Sequence, residues 1–337
     1  MLFERKLYII KYNPCIQNAK QVQKQKYVYK AIERQEKQEH IGSGTMDIVK
    51  RKAYAKINLG LDVIRKREDG YHEVRMIMQN IGLCDELTFE KQPEGITLKI
   101  DRVDLPTDGN NLIYRAARLL KEEYGITEGV RIRLKKQIPI AAGLAGGSTD
   151  AAAVFHGMNS LFGLGMSAEK MCELGVRIGA DVPYCILGGT ALAEGIGEKL
   201  TSLPDAPKAV VLLAKPDISV STKDVYGNLH VEELKVHPDI DGMTKAVIRH
   251  DLDGILERMD NVLENVTIRQ YPVIDEIKNF MKDQGALRAL MSGSGPTVFG
   301  IFERQEQAAA AYLALKKAGL AKDLTVTTFV SPRKEEI

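Results

Sequence analysis

The sequence predicts a mixed α/β (α+β) chain of two domains. Three observations predict it. The 337 residues are long for one domain and comfortable for two. Apolar residues make up 44% and charged residues 27%, the balance of a globular protein with a substantial core. From residue 46 to the end, strand-like and helix-like periodicities alternate.

Residues 1–45 stand apart. They are rich in Gln and Lys, carry nine Lys/Arg against four Asp/Glu, and end in Gly42-Ser43-Gly44. The remaining residues carry 38 Lys/Arg against 41 Asp/Glu, so the positive excess is confined to the first segment. Met46-Asp47-Ile48-Val49 opens the first convincing strand. Met46 is therefore read as the initiator, and 1–45 as an extension outside the folded body. Glu4, Arg5, Lys6 and Lys11 interrupt the apolar start, which excludes a secretory signal peptide.

The segment from Tyr54 to Val63 alternates, with Ala55, Ile57, Leu59, Leu61 and Val63 on one face and Lys56, Asn58 and Asp62 on the other. Period 2 predicts a half-buried strand from which Lys56 and Asn58 project together. Further strands are expected at 72–83, 86–91, 95–101 and 130–137. A helix is expected over 111–124, capped by Asn110 or Asn111 and stopped at Gly125. A second follows Gly147, where Ala151, Val154, Phe155, Met158 and Leu161 recur at helical spacing up to Gly163. A third starts at Ser167 as N-cap and stops near Gly179. Beyond these, strands are expected at 208–214, 287–291, 297–302 and 324–330, with helices near 241–250, 273–284 and 305–318. The best domain boundary lies at the connection 202–207, which divides 46–203 from 204–337.

The bulk properties exclude several classes. A net charge of +2 offers no basic field for nucleic acid. No apolar run approaches the ~18 residues that a membrane span needs. Cys15, Cys84, Cys172 and Cys185 are scattered, with no C-x-x-C pair and no histidine at metal-ligand spacing. A disulfide framework or zinc site is therefore not expected, and a reducing, cytoplasmic setting is.

Three segments have the composition of a site. The first is Pro139-Ile140-Ala141-Ala142-Gly143-Leu144-Ala145-Gly146-Gly147-Ser148-Thr149, between a strand and a helix. Glycines let backbone N–H groups converge on a ligand, and the helix start that follows favours an anion. Ser148 and Thr149 add hydroxyls for phosphate or Mg²⁺. The other reading is an ordinary glycine-rich turn. A Walker A loop is excluded, because Gly147 stands where its lysine belongs, and the dinucleotide G-x-G-x-x-G pattern is absent. Without a loop lysine, phosphoryl transfer needs positive charge from elsewhere, and Lys56 is a candidate; the alternative is a solvated strand lysine. The second segment is Gly179-Ala180-Asp181-Val182-Pro183. The helix ends before Asp181, and Val182 is expected to be extended because proline follows. Asp181 is either a base that accepts a hydroxyl proton or a plain turn residue. The third is Ser292-Gly293-Ser294-Gly295-Pro296-Thr297, a glycine turn after a strand that either closes over a polar ligand or simply reverses the chain.

Taken in order, these motifs resemble the GHMP kinases, named for galactokinase, homoserine kinase, mevalonate kinase and phosphomevalonate kinase. Ala55-Lys56-Ile57-Asn58-Leu59, Asp69-Gly70-Tyr71-His72, Gly143 through Ser148, Gly179 through Pro183 and Ser292 through Pro296 look like signatures of members that act on a cytidyl-linked methylerythritol in the non-mevalonate isoprenoid route. The resemblance spans about 46–332.

It implies an N-terminal domain like the second domain of ribosomal protein S5 and a ferredoxin-like C-terminal domain. It also implies ATP-dependent phosphorylation of the substrate's 2-hydroxyl, with ATP and Mg²⁺. The partner implied is a small molecule bearing cytidine diphosphate, not nucleic acid or membrane. Lys56 and Asp181 would be the catalytic pair, since an ammonium beside a carboxylate favours the charged form that a base needs. Asn58 would hold the polyol, and 139–149 would cradle the ATP phosphates. Tyr71, His72 and Tyr226 would form the cytidine pocket, and Gly293, Ser294 and Gly295 would lie at the substrate. A sister kinase for mevalonate or homoserine is the alternative. So is a silent ligand-binding relative, against which the presence of both Lys56 and Asp181 argues. The loop departs from the family pattern at Ala145, where many relatives have Gly, and at Thr149, where many have Ser.

Overall fold

The computed structural model describes residues 48–332. The extension read at 1–45 lies outside the described residues. The described chain runs β1 (Ile48–Lys66), β2 (His72–Gln92), β3 (Ile96–Ile100), α1 (Leu112–Tyr124), β4 (Gly129–Lys135), α2 (Gly146–Phe162), α3 (Ala168–Val176), α4 (Val182–Leu187), β5 (Thr190–Gly195) and β6 (Lys199–Ser202). It continues with β7 (Val210–Lys215), α5 (Thr222–Gly227), a 3₁₀ turn (Val231–Glu233), α6 (Ile240–Ile248), α7 (Leu252–Arg258), α8 (Glu264–Gln270), α9 (Val273–Asp283), β8 (Arg288–Met291), β9 (Val298–Phe302), α10 (Gln305–Ala318) and β10 (Asp323–Thr328).

The strands form two sheets, and the chain passes from one to the other between Ser202 and Val210. The first has the order β3-β4-β2-β5-β6, with β1 paired to β2. Its pairs are antiparallel except β3 with β4. The second is wholly antiparallel, in the order β10-β7-β9-β8. The two strands expected at 72–83 and 86–91 are one continuous β2. Its first half pairs with β5 and its second half with β4, so β2 spans the sheet.

The helix ends follow local chemistry. Asn111 caps α1 by accepting from the Ile113 N–H, and Gly125 ends it in the left-handed conformation. Ser167 caps α3, and Gly163 ends α2. Helix α2 packs against β1 and β2 through Val154, Phe155 and Met158, all fully buried. Gly157 is needed there, because a Cβ on it would stand 2.4 Å from the Phe89 ring. Gly157→Ala is therefore expected to destabilise the protein by about 1–3 kcal/mol through overpacking, despite alanine's better helix propensity. Urea denaturation measures it, and an unchanged or raised midpoint would contradict it.

Two expectations are corrected. Val182 is helical rather than extended: Pro183 sits in the first turn of α4, where its missing N–H has no partner to lose. Leu61 and Val63 do not share a face with Ala55, Ile57 and Leu59. Asn58 faces Met78 but Gly60 faces Ile77, so β1 carries an extra residue at Leu59. That bulge flips the alternation. Ala55, Ile57 and Leu59 pack into a core with Phe299 and Ile301 of the second sheet. Leu61 and Val63 join the core that holds Phe89 and Phe155.

Candidate active site

The flip of β1 brings Leu61 to line the same cavity as Lys56 and Asn58. This cavity has a volume of about 1030 Å³. Lys56 is only 5% exposed, and burying an ammonium is costly unless it is paired. Its Nζ donates to Asn58 Oδ1 at 2.8 Å and stands 3.9 Å from Asp181 Oδ2. Asn58 is fully buried and directs its Nδ2 to Met76 Sδ at 3.1 Å. Asp181, at the head of α4, leaves a third of its side chain exposed toward the cavity. Lysine, asparagine and aspartate thus form one polar cluster in the cavity wall.

The glycine-rich loop is tied to this cluster by its backbone. The Lys56 N–H donates to Leu144 O at 3.2 Å. Ala141, Gly143 and Ala145 all have positive φ, which coils the loop tightly. Ala145 adopts φ 56 as the N-cap of α2 and makes no side-chain cap bond. An L-residue there costs about 1–2 kcal/mol, a cost glycine would not bear. The first N–H groups of α2 therefore open toward the cavity beside Gly146, Gly147 and Ser148, an arrangement suited to an anion.

Pro139, Ile140, Ala141, Ala142 and Gly143 line the cavity as well, but two loop residues do not. Leu144 points into the apolar core, at 1% exposure. The Thr149 hydroxyl is spent on Tyr54 O at 2.8 Å, so Thr149 anchors α2 to β1 instead of facing a ligand.

The late glycine turn closes against the same loop. Ser292 Oγ donates to Gly143 O at 3.0 Å, and a Cβ on Gly293 would lie 3.7 Å from Lys56 Nζ. Gly293 and Ser294 line the cavity; Gly295 turns inward toward Met291 and does not. Asn261 holds the turn in place, donating to both Met291 O and Gly293 O at 2.8 Å. Sequence reading missed Asn261, which belongs to no motif and acts 30 and 32 residues from its two partners.

At one end of the cavity, His72 and Tyr226 bring their rings to 5.3 Å between centroids at 39°. Tyr71 also lines this end and is 59% exposed. Burial, then the Lys66 charge, push the His72 imidazole below its ordinary value. Burial, then Asp181, push the Tyr226 phenol up. Thr222 bonds Ser294 Oγ at 2.8 Å, joining α5 to the late turn.

Two further lining residues, Lys136 and Asp150, belong to a buried triad with Asp85 that the sequence did not reveal. Lys136 Nζ donates to both Asp85 Oδ2 and Asp150 Oδ2 at 2.6 Å, while Asp85 Oδ1 accepts from the Gln137 and Ile138 N–H groups. Burial acts to lower the Lys136 ammonium, yet Asp150 and Asp85 together hold it above its usual value. Burial pushes the Asp150 carboxyl well up, against the pull of Lys136. The triad joins β2, the loop entrance and the N-terminal part of α2. Its members are 51 and 14 residues apart, beyond the reach of a short motif.

The family model for the GHMP kinases N terminal domain matches residues 111–189, and that for GHMP kinases C terminal matches 243–321. The chain is 51% identical over 288 residues to a 4-diphosphocytidyl-2-C-methyl-D-erythritol kinase of Lachnospira eligens, covering 85% of this chain and 100% of the relative. It is 49% identical over 272 residues to the protein of the same name from Enterococcus faecalis, covering 80% and 95%. A crystal structure of a 4-(cytidine 5'-diphospho)-2C-methyl-D-erythritol kinase matches with a TM-score of 0.73 at 34% identity, covering 84% of this chain and all of the other. A mevalonate kinase from L. major, in complex with R-mevalonate, matches with a TM-score of 0.67 at 18% identity, a likeness of fold alone, covering 84% and 96%.

Proposed function

From the premise that this chain belongs to the GHMP kinases, we propose that it transfers the γ-phosphate of ATP to the 2-hydroxyl of 4-(cytidine 5'-diphospho)-2-C-methyl-D-erythritol. The products are the 2-phosphate and ADP, a step of the non-mevalonate route to isoprenoid precursors. The observation that carries the reading is that one cavity holds both the Lys56–Asp181 pair beside the phosphate-type loop and the His72–Tyr226 ring pair. The first suits phosphoryl transfer, and the second suits a flat heteroaromatic ring.

In this reading Asp181 accepts the proton of the attacking hydroxyl. Lys56, held by Asn58, offsets the negative charge that develops. Asn58 orients the polyol. The loop from Pro139 to Ser148 and the start of α2 receive the ATP phosphates. Leu144 and Thr149 serve as the loop's anchors.

The cavity also suits Mg²⁺, because Ser148 presents a hard oxygen donor beside the loop and this ion usually takes few protein ligands beside phosphate and water. When bound, Mg²⁺ neutralises phosphate charge. Tyr71, His72 and Tyr226 hold the cytosine. We further assign 46–203 as the ATP-binding domain and 204–337 as the second domain. Among the described residues no helix is long and apolar enough to cross a membrane.

ADP release, measured with Mg·ATP and separately the cytidyl substrate, mevalonate and homoserine, tests the proposal. Turnover is expected with the first acceptor. Turnover with mevalonate or homoserine in its place would overturn the assignment.

A further inference from the structure

We infer that Lys66 and Lys223 together seat the diphosphate bridge of the acceptor substrate. The inference rests on the reading above and names residues for a part of the substrate that the ring pair and the catalytic pair leave unaccounted for.

The cavity lining includes four lysines, Lys56, Lys66, Lys136 and Lys223, and two carboxylates, Asp150 and Asp181. Lys56 is matched by Asp181, and Lys136 by Asp85 and Asp150. Lys66 and Lys223 form no ion pair among the described residues. Two ammonium groups of the cavity, both on exposed side chains, are therefore left without a carboxylate partner. A diphosphate diester carries two negative charges, and ammonium groups bind phosphate oxygens through charge-assisted hydrogen bonds.

Position supports the same ligand. Lys66 is the cross-strand partner of His72 in the β1–β2 ladder. Lys223 lies three residues before Tyr226 in α5, so the two share one helix face. Each lysine is thus a neighbour of one member of the ring pair. The Lys66 charge is also close enough to help depress the His72 imidazole. A pyrimidine held at the two rings carries its 5'-diphosphate beyond its ribose, in the cavity that both lysines line. Lys56 and Asp181 lie in the same cavity for the polyol that follows.

Calorimetric binding of cytidine and of cytidine 5'-diphosphate to the wild type, Lys66→Gln, Lys223→Gln and the double variant tests this. The wild type is expected to bind the diphosphate more tightly than the nucleoside. Each substitution should remove on the order of tenfold of that preference while leaving cytidine affinity and the KM for ATP unchanged. Lys223→Arg should restore most of the loss. If the variants keep the full preference for the diphosphate, the lysine seat is wrong and the cytidyl reading stands. If the wild type binds neither ligand, that reading fails and takes the inference with it. An NMR titration adds an independent check: Lys66→Gln should raise the His72 pKa. An unmoved His72 would remove Lys66 from the seat.

Discussion

Asp181→Asn is expected to lower kcat by about 10²–10⁴-fold, the usual contribution of a positioned base, with ATP affinity nearly unchanged. The substitution keeps the size and shape of the side chain and removes its charge and basicity. Asp181 stands at the head of α4 with a third of its side chain open to the cavity, and no side-chain cap bond depends on it. The fold should therefore tolerate asparagine. Lys56 would lose its carboxylate neighbour at 3.9 Å but keep Asn58 at 2.8 Å, so its position should hold. Steady-state kinetics and nucleotide binding separate the two effects. Activity that survived intact would show that another group takes the proton. A parallel loss of ATP affinity would instead place Asp181 in nucleotide binding.

Gly143→Ala should be nearly as damaging by a different route. Gly143 has φ +72, where a Cβ costs about 1–2 kcal/mol. The added carbon would stand 2.2 Å from Ser292 O and 3.0 Å from Gly295 O. Both are backbone atoms, so no side chain can swing away and the two segments must part. Overpacking of this kind adds about 1–3 kcal/mol. The separation would disturb the Ser292–Gly143 hydrogen bond and the seat of the loop beside Lys56. We expect a loss of a few kcal/mol in stability, together with at least a tenfold rise in the KM for ATP. Gly147→Ala is the control: its Cβ would meet only Leu112 Cδ1, at 3.4 Å, an ordinary contact. If both variants melt alike, the clash at Gly143 does not decide the loop's position.

The contrast between these two glycines separates what was legible from what was not. Both stand in the same motif, and the sequence marks both as permissive backbone. Only the packing of the late turn on the loop makes one of them irreplaceable. The same holds for hydroxyls. Ser148 and Thr149 read alike as phosphate donors, yet Thr149 is turned to Tyr54 O by the pitch of α2.

Short elements also escaped the sequence reading. Helices α4, α5, α7 and α8 have six or seven residues, too few for a helical period to declare itself. Strands β5 and β6 are short, and β5 is held by its pairing with β2 rather than by its own composition.

The sequence by itself determined the features that depend on neighbours along the chain. These are the long helices and their glycine and asparagine or serine ends, the glycine-rich loop before α2, and the order of the motifs. Caps, periodicity and φ preference act over a few residues, so they are written locally. The tertiary structure alone decided the cavity. The bulge at Leu59 set which residues accompany Lys56, and Asn261 placed the late turn. Asp85, Lys136 and Asp150 met from three elements, and His72 met Tyr226 across two. Those outcomes depend on strand register and on burial, which charges a high cost to any polar group left unpaired, and neither quantity exists until the chain has folded.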